Sequence, residues 1–207
     1  MVKVSISKER EKMIPNFYIG LVHHPVKNKK GEQVTTSVTN LDISDISRSA
    51  TTFGHKRYFI ISPIQKQQEL VHRILGHWHS DEGNLYNPDR SNAMSRVQMV
   101  GSIEDSIAEI QVLEKQKPFV VVTTALDKGH DGGTAELINK IRVDNRPMLL
   151  LFGTGWGLTD EVMAKADFRL EPIWGSDRSY NHLSVRSAVA IYLDRLQREL
   201  DSLKNEA

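Results

Sequence analysis

A run of five apolar residues, Met148-Leu-Leu-Leu-Phe152, passing straight into Gly153-Thr-Gly-Trp-Gly157, constrains this chain more than any other stretch. The run is long enough for one buried strand and too short for a stable helix. Beyond the glycines, Leu158 to Ala166 has helical character, with Asp160 and Glu161 in the first turn, where a helix dipole favours acids. A second strand is predicted over Phe168–Ile173, followed by a polar loop from Trp174 to His182 and a long final helix from about Leu183. Two strands thus lead into two irregular, glycine-bearing loops at their C-terminal ends, the edge where open parallel sheets bind small ligands. Glycines at alternate positions let the backbone approach a ligand closely and accept positive φ. Alone they fit a tight strand-to-helix turn equally well, and it is the pair of loops that favours a ligand site. A dinucleotide fingerprint fits less well, because Leu158 stands where the third glycine belongs, and there is no GxxxxGK[ST] phosphate loop.

The rest of the chain alternates strands with helices. Phe17–Val22, Tyr58–Ser62, Arg96–Val100 and Phe119–Thr124 read as strands, the last placing the hydroxyls of Thr123 and Thr124 at the ligand edge. Ile43, Ile46, Ala50 and Phe53 share one helix face, with Asp42 able to cap and Gly54 to stop it. Val71, Ile74, Leu75 and Trp78 form a second helical stripe; Ile103–Glu114 and Thr134–Val143 are further helices. The pattern predicts an α/β fold with a mostly parallel sheet flanked by helices, one domain over residues 17–207 behind a weakly patterned extension, 1–16. The final helix has Val185, Val189, Leu193, Leu196, Leu200 and Leu203 on one stripe; its first half should lie on its own sheet, and beyond Leu196 a partner subunit or partner domain is an alternative.

Several loops hold recognition chemistry. Lys29 and Lys30, beside Lys27 and Gly31, form a compact basic loop suited to a phosphate backbone, and Gly83–Asn92 reads as a polar loop presenting Asn87 and Arg90. His23-His24-Pro25 follows the first strand at the ligand edge, although a histidine pair in a loop is most often simply solvated. His72, His77 and His79 offer ligand types, but His77 and His79 point to different sides of a helix and the set lacks cysteine or a HExxH partner, so no metal site is expected. The net charge of +1 argues against a dedicated nucleic-acid coat, so any nucleic-acid contact must come from local basic patches. No apolar run approaches the ~20 residues that span a bilayer, and the absence of cysteine removes disulfide and thiolate chemistry; together these suit a cytoplasmic protein without membrane attachment.

Leu150-Leu-Phe-Gly-Thr-Gly-Trp-Gly-Leu158, Glu171-Pro-Ile173 and Tyr180-Asn-His-Leu-Ser-Val-Arg-Ser-Ala188 resemble the second and third motifs of the SPOUT methyltransferases, and Asn40–Gly54 resembles the first, with Arg48, Phe53 and Gly54 in register. The chain departs from that pattern at Thr154, Trp156 and Tyr180-Asn181-His182, and Asp42 and Ser44 replace the first motif's Asn and Gly. The resemblance spans roughly Phe17 to Leu196. It implies a C-terminal trefoil knot over about residues 119–193, S-adenosylmethionine as cofactor, RNA (tRNA or rRNA, base or ribose) as substrate, and a homodimer. On the same basis the cofactor is assigned to Thr123, Thr124, Leu151, Phe152, Gly153, Gly155, Gly157, Leu158, Ile173, Trp174, Gly175, Tyr180, Leu183 and Ser184. The reaction side falls to Arg48, Asn181 and His182, and substrate contacts to Asn87, Arg90, Lys29 and Lys30. Two rivals stay open: a knotted module that binds RNA or cofactor without catalysis, and an α/β enzyme that uses a nucleotide.

Overall fold

The computed structural model describes residues 15–127, 129–177 and 180–205; the extension expected over residues 1–16 lies almost wholly outside them, as do two residues of the Trp174–His182 loop. Eight strands are described: β1 Phe17–Val22, β2 Val26–Lys27, β3 Gln33–Val34, β4 Arg57–Ile61, β5 Val97–Val100, β6 Phe119–Val122, β7 Met148–Gly153 and β8 Phe168–Arg169. The described helices are α1 Asn40–Thr52, α2 Gln65–His79, α3 Asp81–Tyr86, α4 Pro88–Met94, α5 Ile103–Glu114, α6 Thr134–Asp144, α7 Asp160–Ala164 and α8 Val185–Asn205. β2 and β3 form a small antiparallel hairpin, and the other strands make one six-stranded sheet in the order β5-β4-β1-β7-β6-β8. Every pairing in that sheet is parallel.

Burial on both faces explains why β1 and β7 read as continuous apolar runs rather than alternating ones. Phe17, Ile19 and Leu21 of β1, with Met148, Leu150 and Phe152 of β7, face a core completed by α1, α2, α6 and α8. Tyr18, Val22, Leu149 and Leu151 face the opposite core, shared with Ile103 and Ile110 of α5 and with Leu158. Gly20 lets the central strands close up, since a Cβ there would stand 2.6 Å from Leu151 Cδ2.

Several sequence expectations are corrected. Gly83–Asn92 is not a loop. Ser80 caps α3 by accepting from Gly83 N at 3.2 Å, and Asn87 caps α4 by accepting from Arg90 N at 2.9 Å, with Pro88 in the first turn. The N-cap of α1 is Thr39 rather than Asp42, which stands in the first turn. β8 is only two residues long, its ladder ending before Pro172, which has no N–H to donate. The apolar stripe of α8 needs no second subunit: Leu196 and Leu200 are buried within this chain, where α8 packs against both α1 and α6.

Candidate active site

The sheet order reverses beside β1: the chain runs outward through β4 and β5 on one side, then crosses to the other, where β6 forms first, β7 fills the place between it and β1, and β8 adds outside β6. Val22 and Gly153 pair at the adjacent C-terminal ends of β1 and β7, which is the topological switch point where open α/β sheets bind ligands. A cleft of about 500 Å³ opens there, bordered by the ends of β1, β6 and β7, the chain after β8 and the start of α8.

The glycine turn forms one wall. Gly157 N donates to Thr154 O at 3.0 Å, closing a turn in which Gly155 has φ 59° and Gly157 φ 96°. The β2–β3 hairpin clamps this turn: Lys27 N donates to Gly157 O at 2.8 Å, Trp156 N to Lys27 O at 3.0 Å, and Lys27 Nζ reaches Asp160 at 2.8 Å. Gly153 is needed for a different reason, because a Cβ would meet Leu158 N at 2.7 Å. The apolar floor is Phe152 with Tyr192 of α8, ring centroids 6.0 Å apart. Burial raises the Tyr192 pKa, so its hydroxyl stays protonated and donates to Glu171 O at 2.7 Å. Opposite, Asn181 Nδ2 donates to Ala125 O at 2.9 Å and ties the segment after β8 to the end of β6.

The polar wall comes from β1 and α1. Buried Asp42 accepts from Arg186 Nη1 at 3.0 Å and from the Thr39 hydroxyl, while Arg186 Nε reaches Asp45 at 3.3 Å. His23 and Thr36 lie beside it, joined at 3.0 Å. Burial pushes the His23 pKa down to about 4, opposed by the Asp42 carboxylate, so the imidazole is neutral at pH 7.

Of the cofactor residues expected from sequence, Thr123, Thr124, Phe152, Gly153, Gly155, Gly157, Ile173 and Leu183 border the cleft, as do Asn181 and His182. Leu151 does not, because the period-two alternation of β7 turns its side chain into the opposite core. Leu158 is buried on that face too and borders a smaller hollow behind the turn. Trp174, Gly175 and Tyr180 lie outside the lining: Trp174 Nε1 donates to Glu171 at 3.0 Å, and Tyr180 stands edge-on to His182 at 5.2 Å. Ser184 caps the last helix, accepting from Ser187 N at 3.2 Å.

Arg48 is exposed and borders a separate depression with Asp45, Ser49, Thr52 and Phe53. Lys29 and Lys30 are exposed at the hairpin turn, and Asn87 is exposed at its cap. Arg90 folds back, its guanidinium 4.8 Å from the Trp78 ring centroid and 2.9 Å from the Ser44 hydroxyl. The sequence reading gave no role to Thr36, Thr154, Tyr192 or Arg186, and discounted His23. A signal was available only for Arg186, an arginine in the first turn of a helix that starts beside a predicted ligand loop.

The profile of a family described as SAM-dependent RNA methyltransferases matches residues 16–198, and the chain belongs to that family. A tRNA (guanine-N(1)-)-methyltransferase of Oleidesulfovibrio alaskensis is 42% identical over 195 residues, 94% of this chain and 45% of that protein. An uncharacterized protein of Aquifex aeolicus is 36% identical over 181 residues, 87% of this chain and 88% of its own length. The chain therefore spans about half the length of the curated methyltransferases it matches, 45% and 42% of two of them. Among solved structures, a probable methylase family protein from Haemophilus influenzae superposes with a TM-score of 0.61 at 17% identity, over 92% of this chain and 69% of that one. The SpoU methyltransferase AviRb of Streptomyces viridochromogenes, in complex with AdoMet, superposes with a TM-score of 0.53 at 16% identity, over 89% and 57% of the two chains. The fold is thus that of the SpoU-type, or SPOUT, methyltransferases.

Proposed function

We propose that this chain transfers the methyl group of S-adenosylmethionine to a nucleoside of RNA, in tRNA or rRNA, on base or ribose. The observation that carries this reading is the cleft where the glycine turn, the β6 end and the segment after β8 meet, inside the stretch the family profile matches. Its volume lies in the range of small-molecule sites. The residues fit a nucleoside-bearing cofactor: Phe152, Ile173 and Leu183 give apolar walls, Thr123 and Thr124 give hydroxyls, and Gly155 and Gly157 leave backbone bare at the rim. Bound there, the cofactor supplies an electrophilic methyl group on a sulfonium. The protein's own task is then to place the acceptor in line with it and keep water out. The guanine-N1 activity named for the relative belongs to a protein about twice as long, so it does not fix the acceptor atom here.

Three further elements belong to the proposal. Residues 119–193 form the family's trefoil knot, a reading supported by β7 lying inside β6 in the sheet and by Asn181 crossing back to Ala125 before α8 packs on α1. The protein is a homodimer, a reading supported by exposed Leu126, Trp156, Tyr180 and Leu183 around the cleft, and it works in the cytoplasm, which a chain without cysteine suits. A two-fold partner covering that rim can bring Arg48, Lys29, Lys30 and Asn87 of one subunit towards the other's cleft, with Asn181, His182 and Arg48 on the reaction side. Arg48→Ala should then lower single-turnover RNA methylation by roughly 10²- to 10⁴-fold with cofactor affinity held; an unchanged rate returns Arg48 to the solvated surface.

Calorimetry with S-adenosylmethionine and its demethylated product tests the cofactor, and mass-spectrometric nucleoside analysis of RNA from a deletion strain tests the substrate. Absence of heat with either compound overturns the reading. Heat with an unchanged nucleoside inventory favours a cofactor-binding module without catalysis, which the position of Arg48 outside the cleft of its own subunit also suits.

A further inference from the structure

His23 follows β1 directly at the switch point, is fully buried, and borders the cleft. Its Nδ1 lies 3.0 Å from Thr36 Oγ1, Thr36 Oγ1 contacts Thr154 Oγ1, and Thr154 Oγ1 donates to Val22 O at 2.9 Å. One assignment of protons satisfies all three contacts. The Val22 carbonyl can only accept, so the single hydroxyl proton of Thr154 goes there. Thr36 must then donate to Thr154, and its oxygen is left to accept from His23 Nδ1–H. The chain of hydroxyls therefore fixes the imidazole as the Nδ1–H tautomer and strips the proton from Nε2. That nitrogen is sealed from solvent and has no hydrogen-bond partner among the described residues. A bare buried acceptor is a costly thing to leave unused.

We propose that His23 is a catalytic residue of methyl transfer: RNA seated in the cleft displaces the lining that covers its Nε2, and that nitrogen accepts the hydrogen of the N–H or O–H group that receives the methyl. The inference rests on the methyltransferase reading above. As the acceptor atom bonds to the methyl carbon, the carbon–sulfur bond breaks with its electron pair left on sulfur, and the acceptor's proton passes to Nε2. Methylating a neutral nitrogen or oxygen makes its remaining proton strongly acidic, so the weakly basic, desolvated imidazole suffices to collect it. Asp42, held by Arg186 on its far side, is the neighbouring carboxylate that offsets the imidazolium charge once formed. Thr36 and Thr154 are positioning residues, acting only by holding the tautomer.

Two measurements test this on the full chain. Nitrogen-15 histidine spectra at pH 7 should show His23 protonated at Nδ1 and bare at Nε2, and Thr36→Val should lose that preference. Single-turnover methylation of RNA should fall roughly 10²- to 10⁴-fold in His23→Ala, with S-adenosylmethionine affinity by calorimetry within a few-fold of the parent. Thr36→Val should lower kcat with KM for RNA held. A proton found on Nε2 overturns the inference without any turnover measurement, as does a parent-like rate in His23→Ala. A parent that binds no S-adenosylmethionine overturns the methyltransferase reading instead, a separate result from either.

Discussion

Gly155 sits at positive φ in the clamped turn, and a Cβ there would lie 3.1 Å from Lys27 O and 3.2 Å from Thr36 Cγ2. Gly155→Val therefore adds a branched side chain at a φ that L residues rarely adopt, pressed against the hairpin. It should abolish measurable S-adenosylmethionine binding by calorimetry while circular dichroism keeps the folded spectrum; parent-like affinity would mean that the turn is scaffold only. Arg186 offers a second residue-scale test, because Asp42 is buried and Arg186→Ala leaves its carboxylate facing the cleft without the guanidinium. Discounted for Arg186's partial exposure, the loss should be about 1–3 kcal/mol in urea unfolding. The glycines were legible in the sequence because their spacing is local. His23 was not, since its meaning lies in Thr36 and in Thr154, which stands 118 residues beyond Thr36. No local pattern distinguishes a solvated histidine pair from one whose ring is locked by two distant hydroxyls.

At the scale of elements, apolar runs announced β1, β4, β6 and β7, the mixed stretches at β5 and β8 were also read as strands, and helical spacing announced α1, α2, α5 and α8. Short, polar elements were missed. The Ser80 and Asn87-Pro88 caps are ordinary helix-start signals, but they introduce α3 and α4, too short to show an apolar period. The opposite error occurred at α8, where the stripe looked too long for one sheet. A helix wedged between α1 and α6 has more than the sheet to cover it, and Leu196 is 1% exposed as a result. Leu196→Ala should accordingly cost about 2–5 kcal/mol, the range for a buried leucine that leaves a cavity. Denaturant unfolding at several protein concentrations checks this. A loss below about 1 kcal/mol would mean that the site collapses or that Leu196 is not packed as described.

For the whole molecule, alternation of strands and helices made the parallel sheet legible, but not the order of its strands. β7 is inserted between β1 and β6: it pairs with β6 through residues 29 positions apart but with β1 through residues more than a hundred apart, such as Val22 with Gly153, and composition leaves no trace of that second pairing. That insertion puts His23 beside the glycine turn, and the burial of His23, like that of His55 at the other end of β1, makes the molecule sensitive to acid. Burial lowers the pKa of both His23 and His55 to about 4 from an ordinary 6.5. Below pH 6.5 the unfolded chain takes up two protons that the folded chain refuses, so the folded state loses stability as pH falls through the window from 6.5 to about 4, and loses no more from these groups below it. Each histidine accounts for on the order of 3 kcal/mol across that window. Melting temperature should fall steadily over it. His55→Gln, placed far from the cleft against Phe17 at 5.8 Å, should cut this part of the slope by about half while leaving RNA methylation at pH 7.5 unchanged. A melting temperature flat between pH 6.5 and 4.5 would mean that both imidazoles can charge in the folded state, and that the buried Nε2 atoms reach water after all.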